Sequence, residues 1–330
     1  MRSSDRRPFP LLALLSVLFV LAVLWVGLRF QRPPPSEPTA APAAQTAEAE
    51  GRTVTHGQGT TVVPLTPRRV VVFDPAALDI LQALEVEVYA VAGDTFPKHL
   101  AAFNDAKYPR MGTLFEPDYE ALQAARPDLI ITGGRSSAKY ANLSRIAPTV
   151  DVPMSGKDYL DSVIANTQML ARIFGKEEKA RALIESLRQS VAELRQVAAA
   201  RGKGLVVLVT GGRMSAYGPG SRFGVIHGDF GVPEAAEGLR ISLHGESISS
   251  EFIREKDPDW LFVIDRDAAT GQKEGNARQV LDNELVRQTA AWRKGQVVYL
   301  DPATIYLSGG GLQSVNLLRE QVASAYAHAP

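Results

Sequence analysis

The stretch EALQAARPDLIITGGR, residues 120–135, decides the fold, because its pattern occurs a second time as EFIREKDPDWLFVIDR, residues 251–266. In both copies an acidic residue opens a short amphipathic segment, Pro-Asp ends it, an apolar run follows, and an arginine stands just after that run. This order predicts a helix, a buried strand and a following loop in each copy. The repeat therefore predicts two similar α/β lobes.

Arg135 and Arg266 occupy the last position of the two copies. Loops that follow the carboxyl ends of parallel strands form the ligand edge of an open sheet. We therefore expect the two arginines to face one cleft between the lobes. A guanidinium group binds planar anionic oxygens in a bidentate manner and keeps its charge at ordinary pH. The predicted ligand is therefore an anion.

Apolar runs and helical spacing outline the rest of the fold as strands that alternate with helices. In the first lobe we predict a strand or hairpin over 54–63, strands over 69–74, 86–91 and 129–132, and helices over 75–84 and 117–126. In the second lobe a strand over 204–212 begins further alternation, which ends in a helix after Gly311.

Helical spacing also covers residues 159–174 and 177–201, with Gly175 as a stop signal between them. We interpret this part of the chain as a helical spine that limits hinge closure. The predicted organisation is an anchor or signal segment at 1–30, a tether at 31–51, an N-terminal lobe at 52–156, the spine at 157–202 and a C-terminal lobe at 203–330.

Composition narrows the class of protein. The chain has 330 residues, of which 45% are hydrophobic, so two cores of about 120 to 140 residues each are feasible. Its formal net charge is zero, whereas a nucleic-acid partner would favour a basic excess. It contains no cysteine, which excludes disulfides, thiolate metal sites and cysteine nucleophiles.

The N-terminus predicts export across a membrane. Residues 9–28 form an uncharged apolar run of bilayer-spanning length, and Arg2, Arg6 and Arg7 precede it. The Pro- and Ala-rich residues 31–51 predict a disordered tether. We expect an uncleaved helix that holds the folded part at the inner membrane; a cleaved signal peptide and a soluble periplasmic protein are the alternative.

Further candidate binding residues lie in the second lobe. Arg222 stands in the glycine-bracketed loop SAYGPGSRFG, and Arg213 ends a second TGGR. His244 and Tyr306 also follow apolar segments, and imidazole with phenolate can complete the coordination of a hard ferric ion whose other ligands come from a chelator. Each of these residues also has an ordinary structural interpretation, as an ion pair, a cap or a packing residue.

Motifs of common enzymes are missing from the sequence. It contains no P-loop, no G-x-G-x-x-G that opens a helix after a strand, and no G-x-S-x-G elbow. Gly309–Gly311 predict a turn before the last helix and match none of these motifs. We therefore expect a protein that is not an enzyme; a ferric-chelate reductase or hydrolase of the cell envelope is the alternative.

Four segments show a resemblance to a known family. These segments are SAYGPGSRFG (215–224), HGESISSEFIREKDPDWLFVIDRDAATG (244–271), LDNELV (281–286) and VVYLDPATIYLSGGGL (297–312). They resemble the periplasmic siderophore-binding proteins of ABC iron importers, near the subgroup for ferric catecholate and petrobactin-type chelates. The resemblance covers about residues 52–328. It implies a class III periplasmic binding protein, in which a single long α-helix joins two Rossmann-like lobes.

The resemblance also implies roles for individual residues. Arg135, Arg222 and Arg266 would cradle catecholate oxygens, and His244 and Tyr306 would bind iron when the siderophore leaves two coordination positions free. Glu120 and Glu251 would dock on arginines of the permease; without the resemblance each is a residue that favours a helix N-terminus. Many relatives carry a lipoprotein cysteine, which this chain lacks.

The expected function is capture of a ferric siderophore in the periplasm and its delivery to a permease dimer with its ATPase. The expected protein is a monomer with no permanently bound cofactor, and its ferric iron arrives as the chelate. The alternative ligands for a protein of the same fold are haem, cobalamin or a hydroxamate chelate.

Overall fold

The structure is a computed structural model that describes residues 51–272 and 276–328. The predicted membrane segment, residues 9–28, and nearly all of the predicted tether lie outside these residues. Within the described residues, no helix is both long enough and apolar enough to cross a bilayer.

An antiparallel hairpin of strands β1 (Gly51–His56) and β2 (Gly59–Pro64) precedes the first sheet, in the region where the sequence predicted a strand or hairpin over 54–63. The first sheet has four parallel strands, which are β3 (Val70–Val72), β4 (Ala90–Val91), β5 (Leu129–Gly133) and β6 (Thr149–Val152). Their order across the sheet is β4-β3-β5-β6. The helices are α1 (Pro75–Ala83), α2 (Tyr119–Ala125) and α3 (Tyr140–Leu143), with 3-10 turns at Lys98–Asn104 and Ser137–Lys139. The strand predicted over 86–91 is confined to its last two residues.

Two helices, rather than the expected single long one, connect the first sheet to the second. They are α4 (Tyr159–Phe174) and α5 (Glu177–Ala198). Gly175 ends α4 with a φ of 64°, a left-handed conformation that costs glycine little. The sequence predicted both helices and the stop at Gly175 between them, so the spine proposed over 157–202 consists of two successive helices.

The second sheet is mixed and has five strands, which are β7 (Gly204–Thr210), β8 (Arg213–Tyr217), β9 (Glu246–Ile248), β10 (Trp260–Asp265) and β11 (Val297–Tyr299). Their order across the sheet is β11-β10-β7-β8-β9. Its helices are α6 (Val225–Gly228), α7 (Ser250–Lys256), α8 (Arg266–Ala269), α9 (Asn276–Leu281), α10 (Glu284–Arg287), α11 (Ala290–Arg293), α12 (Pro302–Leu307) and α13 (Leu312–Ala327). Strand β8 is antiparallel to both its neighbours, so the simple alternation expected after residue 204 is interrupted by a hairpin.

The two copies of the repeated stretch form the same local structure. Helices α2 and α7 each have seven residues and begin at a capping side chain, Asp118 or Ser249. Each ends at a left-handed residue, Arg126 with φ 47° or Asp257 with φ 37°. A proline follows in each copy and cannot donate the next helical hydrogen bond, so the chain leaves the helix at the same point.

The aspartate of each Pro-Asp pair fastens neighbouring strands together. Asp128 Oδ2 and Oδ1 accept hydrogen bonds from the amides of Arg68 and Arg69 at 2.7 and 2.8 Å, just before β3. Asp259 Oδ2 accepts from the amide of Lys203 at 3.0 Å, just before β7. The repeat therefore sets the register between a central strand and its neighbour in both sheets.

One hydrophobic core extends across both sheets. It includes Val72 of β3, Leu170 of α4, Phe262 of β10 and Leu318 of α13, all at most 2% exposed. Each fully buried side chain of this kind contributes about 1.5 to 3 kcal/mol. The two sheets thus belong to one compact unit, Glu50–Pro330.

Candidate functional site

Tyr306 lies at the centre of the predicted binding residues. Its carbonyl oxygen accepts hydrogen bonds from Arg135 Nη2 at 2.9 Å and from Arg222 Nη2 at 2.8 Å. Its hydroxyl oxygen accepts from Arg266 Nε at 2.8 Å. Because α12 ends at Leu307, the Tyr306 carbonyl has no partner within the helix and is free to accept from the two arginines. The structure therefore brings together four of the five predicted binding residues.

The three guanidinium groups also surround the aromatic ring of Tyr306. Their central carbons lie 4.3 Å (Arg222), 5.2 Å (Arg135) and 5.7 Å (Arg266) from the ring centroid. Cations within about 6 Å of a ring centroid are attracted by the electrons of the ring face. The ring thus helps to hold three like charges close together.

Positive charge dominates this cluster. Among the described residues, neither Arg135 nor Arg222 forms an ion pair with a carboxylate within 4.0 Å. Burial and the charge of Arg222 lower the pKa of Arg135 from its usual value. A site with several cations and few counter-charges is electrostatically complementary to an anion.

The same charges act on the phenol of Tyr306. Burial on its own would raise the pKa of Tyr306, but the hydrogen bond from Arg266 and the charge of Arg222 outweigh it. The net result is a pKa below the usual value for tyrosine. The Tyr306 hydroxyl therefore loses its proton more readily than that of an ordinary surface tyrosine, which makes its oxygen a better anionic ligand.

Thr210 and Asp267 fix the orientation of Arg266, and sequence reasoning missed both. Arg266 Nη1 donates to Thr210 Oγ1 at 3.1 Å, and Thr210 Oγ1 donates to Asp267 Oδ1 at 2.9 Å. The Asp267 carboxylate also accepts from the amide of Gly211 at 2.8 Å and lies 4.0 Å from Arg266 Nη1. The sequence signal that could have identified Asp267 is its position directly after the predicted binding residue Arg266.

The position of Arg222 depends on its aromatic neighbours. It follows β8 in the predicted glycine-bracketed loop, where Gly220 has a φ of 75°. Its neighbour Phe223 is buried, packs edge-on against Tyr217 with ring centroids 4.8 Å apart, and lies 6.4 Å from the ring of Tyr306. Phe223 therefore places Arg222 beside Tyr306.

His244 is the predicted binding residue that the structure leaves outside the cluster. It lies exposed in a turn before β9, and Gly245 follows it with a φ of 70°. In residues 51–272 and 276–328, no hydrogen bond or ring contact joins His244 to Tyr306. The same turn region exposes Ile241 and Leu243, which are 67% and 68% accessible.

The remaining candidates lie on the surface. Glu120 and Glu251 are exposed in the first turns of α2 and α7. Arg213, the fourth arginine candidate, is exposed and lines a groove of about 630 Å³ together with Glu251. It makes no contact with Tyr306 in the described part of the chain, so the structure does not bring this candidate into the arginine cluster.

Cavity volume does not mark this site. The cavity of about 710 Å³ beside β11 and α13 contains none of the predicted residues. We therefore assign the site by its charge and hydrogen bonding. Within the described residues, no group of three or more His, Asp or Glu side chains could hold a bare metal ion. Any iron bound here would need most of its ligands from elsewhere.

Comparison with known proteins gives the family. A family model described as periplasmic binding protein matches residues 70–304, which is more than half of the chain and includes both sheets. The chain belongs to the periplasmic binding protein family. Members of this family bind substrates and are not enzymes, and the structure has the α/β fold of the class III members.

Three relatives illustrate the likeness. The petrobactin-binding protein YclQ of Bacillus subtilis is 40% identical over 265 residues, 79% of this chain and 83% of its own. The ferric-anguibactin-binding protein FatB of Vibrio anguillarum is 31% identical over 279 residues, 83% of this chain and 87% of its own. The crystal structure of the periplasmic catecholate-siderophore binding protein VctP of Vibrio cholerae superposes with a TM-score of 0.79 at 34% identity, over 83% of this chain and 100% of VctP.

Proposed function

We propose that this chain is the extracytoplasmic substrate-binding component of an ABC importer and that it captures an anionic ferric siderophore of the catecholate type. The observation that carries the proposal is the convergence of Arg135, Arg222 and Arg266 on Tyr306, with no carboxylate paired to the first two among the described residues. The names of YclQ, FatB and VctP, all siderophore binders, support the same class of ligand.

The strength of the cluster fits this role. Hydrogen bonds that involve a charged group contribute about 1.5 to 3 kcal/mol each, so three arginines supply about 5 to 9 kcal/mol. Micromolar to nanomolar affinity requires about 8 to 12 kcal/mol. The arginines thus provide most of the affinity, and contacts with the body of the siderophore supply the remainder.

Iron ligation is the second part of the proposal. The Tyr306 hydroxyl oxygen, with its lowered pKa, supplies one ligand to a ferric ion whose siderophore leaves two positions free. His244 supplies the other from its exposed turn. A siderophore that fills all six positions needs neither residue and binds through the arginines alone.

Delivery involves the outer surface of the protein. Glu120 and Glu251 lie exposed at matched positions of two matched helices, which suits contact with two basic sites on a permease dimer that works with its ATPase. The protein acts as a monomer in this proposal. The N-terminal apolar segment tethers it to the inner membrane, and ferric chelate is its only cargo.

A ligand panel tests this function. The chain contains three tryptophans, so quenching of their fluorescence can follow titration with a ferric catecholate, a neutral ferric hydroxamate, haem and cobalamin. We expect the ferric catecholate to bind at least about tenfold more tightly than the hydroxamate, because a neutral chelate gains least from three cations. Equal affinity for the two chelates would contradict the proposal.

A further inference from the structure

The turn Gly309–Gly311 lies between the Tyr306 helix and the last helix of the fold. A Cβ atom on Gly309 would come within 2.8 Å of Tyr159 Oη, and one on Gly310 within 2.9 Å of Met154 Sδ. One on Gly311 would overlap Asp79 Cγ. Gly311 has ordinary extended backbone angles, φ −85° and ψ 152°, so its need for glycine is one of space and not of conformation. The turn is therefore a point of close contact between distant parts of the chain.

Asp79 is the main partner at this contact. It lies on α1 beside the first sheet, and its side chain is fully buried. Its carboxylate accepts hydrogen bonds from the amides of Gln313 and Ser314, both at 2.8 Å, and from Ser314 Oγ at 2.7 Å and His99 Nε2 at 2.8 Å. A buried carboxylate with this many donors is strongly held, and loss of the carboxylate would leave the donors unsatisfied.

The Asp79 carboxylate lies at the N-terminus of α13, where the helix needs a hydrogen-bond acceptor. Helix α13 begins at Leu312, and its N-cap residue Gly311 has no side chain to satisfy the first amides. Asp79 therefore caps this helix from the other half of the fold, and its negative charge faces the positive end of the helix dipole. The close approach of Gly311 is what lets the carboxylate reach these amides.

A short hydrogen-bonded path leads from this cap to the binding site. Ser314 Oγ donates to Asp79 and lies 2.7 Å from Ser308 Oγ, whose hydroxyl also lies within donating distance of the Thr304 carbonyl oxygen on α12, at 3.2 Å. Ser308 is two residues beyond Tyr306 and directly follows α12. The position of Tyr306 relative to the first sheet is thus fixed by a buried network that includes none of the predicted binding residues.

We propose that Asp79, His99, Gly311, Gln313 and Ser314 form a lock, here called the Asp79 lock, that positions Arg135 against Tyr306. Arg135 follows β5 of the first sheet, whereas Tyr306, Arg222 and Arg266 belong to the half that holds the second sheet. Only Arg135 must be brought to Tyr306 across the two halves. Asp79 is accordingly a positioning residue for the anion site, and this inference rests on the proposed function.

Spin labels test the lock without any ligand. The chain has no cysteine, so a cysteine pair at Gln123 and Arg254, matched exposed positions of α2 and α7, can be labelled specifically. We expect one narrow distance distribution in the parent protein and a broader one in Asp79→Asn and Gly311→Ala. Gly228→Ala is the matched control, because a Cβ atom there meets no atom within 4 Å. An unchanged distribution in folded Gly311→Ala and Asp79→Asn would overturn the proposal.

Ligand binding then tests the positioning role. Asp79→Asn should weaken ferric-catecholate binding about tenfold in the parent chain but less than about twofold in an Arg135→Ala background, because coupled residues are not additive. Equal losses in both backgrounds would show that Asp79 does not act through Arg135. If the parent protein bound no ferric catecholate, the proposed function would fail, and the spin-label distances would still decide whether the lock exists.

Discussion

Arg135 donates a hydrogen bond from Nη2 to the carbonyl oxygen of Tyr306, 2.9 Å away, and so joins the half that holds the first sheet to the half that holds the second. Arg222 donates to the same oxygen, so one neutral acceptor serves two cations. A carbonyl cannot neutralise either charge. Both arginines therefore keep most of their capacity to bind an anion while their side chains are already oriented.

Arg135→Ala should lower the affinity for a ferric catecholate about 10- to 100-fold, the effect of losing one charged hydrogen bond at a desolvated site. Fluorescence titration at two salt concentrations measures the loss and its electrostatic part. Arg145→Ala is the control, since Arg145 is an exposed arginine of the same half of the fold. A similar loss in the control would mean that net charge alone, and not the cluster, governs binding.

Tyr306→Phe separates iron ligation from the arginine cluster. The change removes the hydroxyl oxygen but keeps the ring and the main-chain carbonyl that accepts from Arg135 and Arg222. We expect a hexadentate ferric catecholate to bind within about threefold of the parent affinity and a tetradentate one to bind at least about tenfold more weakly. His244→Ala should show the same preference. Equal losses for both chelates would exclude a ligating role for the hydroxyl.

Arg266→Gln should raise the pKa of Tyr306. Burial favours the neutral phenol, and the hydrogen bond from Arg266 with the charge of Arg222 currently outweighs it. Without the Arg266 charge the phenolate loses its main support, so the pKa moves upward. The ultraviolet absorbance of phenolate, followed against pH and corrected with Tyr306→Phe, measures the change. Arg293→Gln, at an exposed position on α11, should leave this titration as it is in the parent protein.

The sequence predicted the parts of the fold that depend on local rules. Pro127 and Pro258 stop two helices, apolar runs follow, and the arginines after those runs lie at the ligand edge of both sheets. Gly175 was recognised as a stop signal, yet the resemblance led us to expect an uninterrupted connecting helix. The local signal was the better guide there, because a left-handed glycine ends a helix whatever surrounds it.

Long-range placement could not be predicted in the same way. Arg213 and Arg222 both follow strands of the second sheet near glycines, but Arg213 begins the hairpin strand β8 and is directed to the outer groove. No local sequence feature distinguishes Arg213 from Arg222, since their different placement depends on how β8 pairs with β7 and β9. Asp79 did leave a signal, because it is the one charged residue of AALDILQAL, residues 76–84, whose other members apart from Gln82 are apolar. Its partners on α13, Gln313 and Ser314, lie more than 230 residues away, and only the fold brings them together.

A partly buried carboxylate, Asp229, lies beside the start of α4, and its protonation state depends on pH. Asp229 lies one residue after α6 and accepts a hydrogen bond from the amide of Leu160. Burial raises its pKa to about 6, and the negative charges of Asp161 and Asp158 add to the rise, although the Leu160 amide and the charge of Arg195 oppose it. Folding therefore favours the protonated form of this group.

The sign of the effect on stability follows from that shift. In the unfolded chain the pKa of Asp229 is near its usual value of 3.8. Its contribution to the free energy of unfolding is fully present below that value and is lost as the pH rises through about 6. At neutral pH the native state thus holds a poorly solvated negative charge beside two other carboxylates, at a cost of about 1 to 2 kcal/mol after allowance for partial exposure.

Asp229→Asn should therefore stabilise the protein at neutral pH. The amide oxygen of asparagine can still accept from Leu160, and the buried charge is gone. We expect the melting temperature to rise by about 2 to 4 °C at neutral pH and by nothing measurable below about pH 4, where the aspartate is already neutral. Thermal unfolding of both proteins across this pH range provides the test, with Asp94→Asn as an exposed control of equal charge. A gain of the same size at both pH values would show that the carboxylate charge is not its cause.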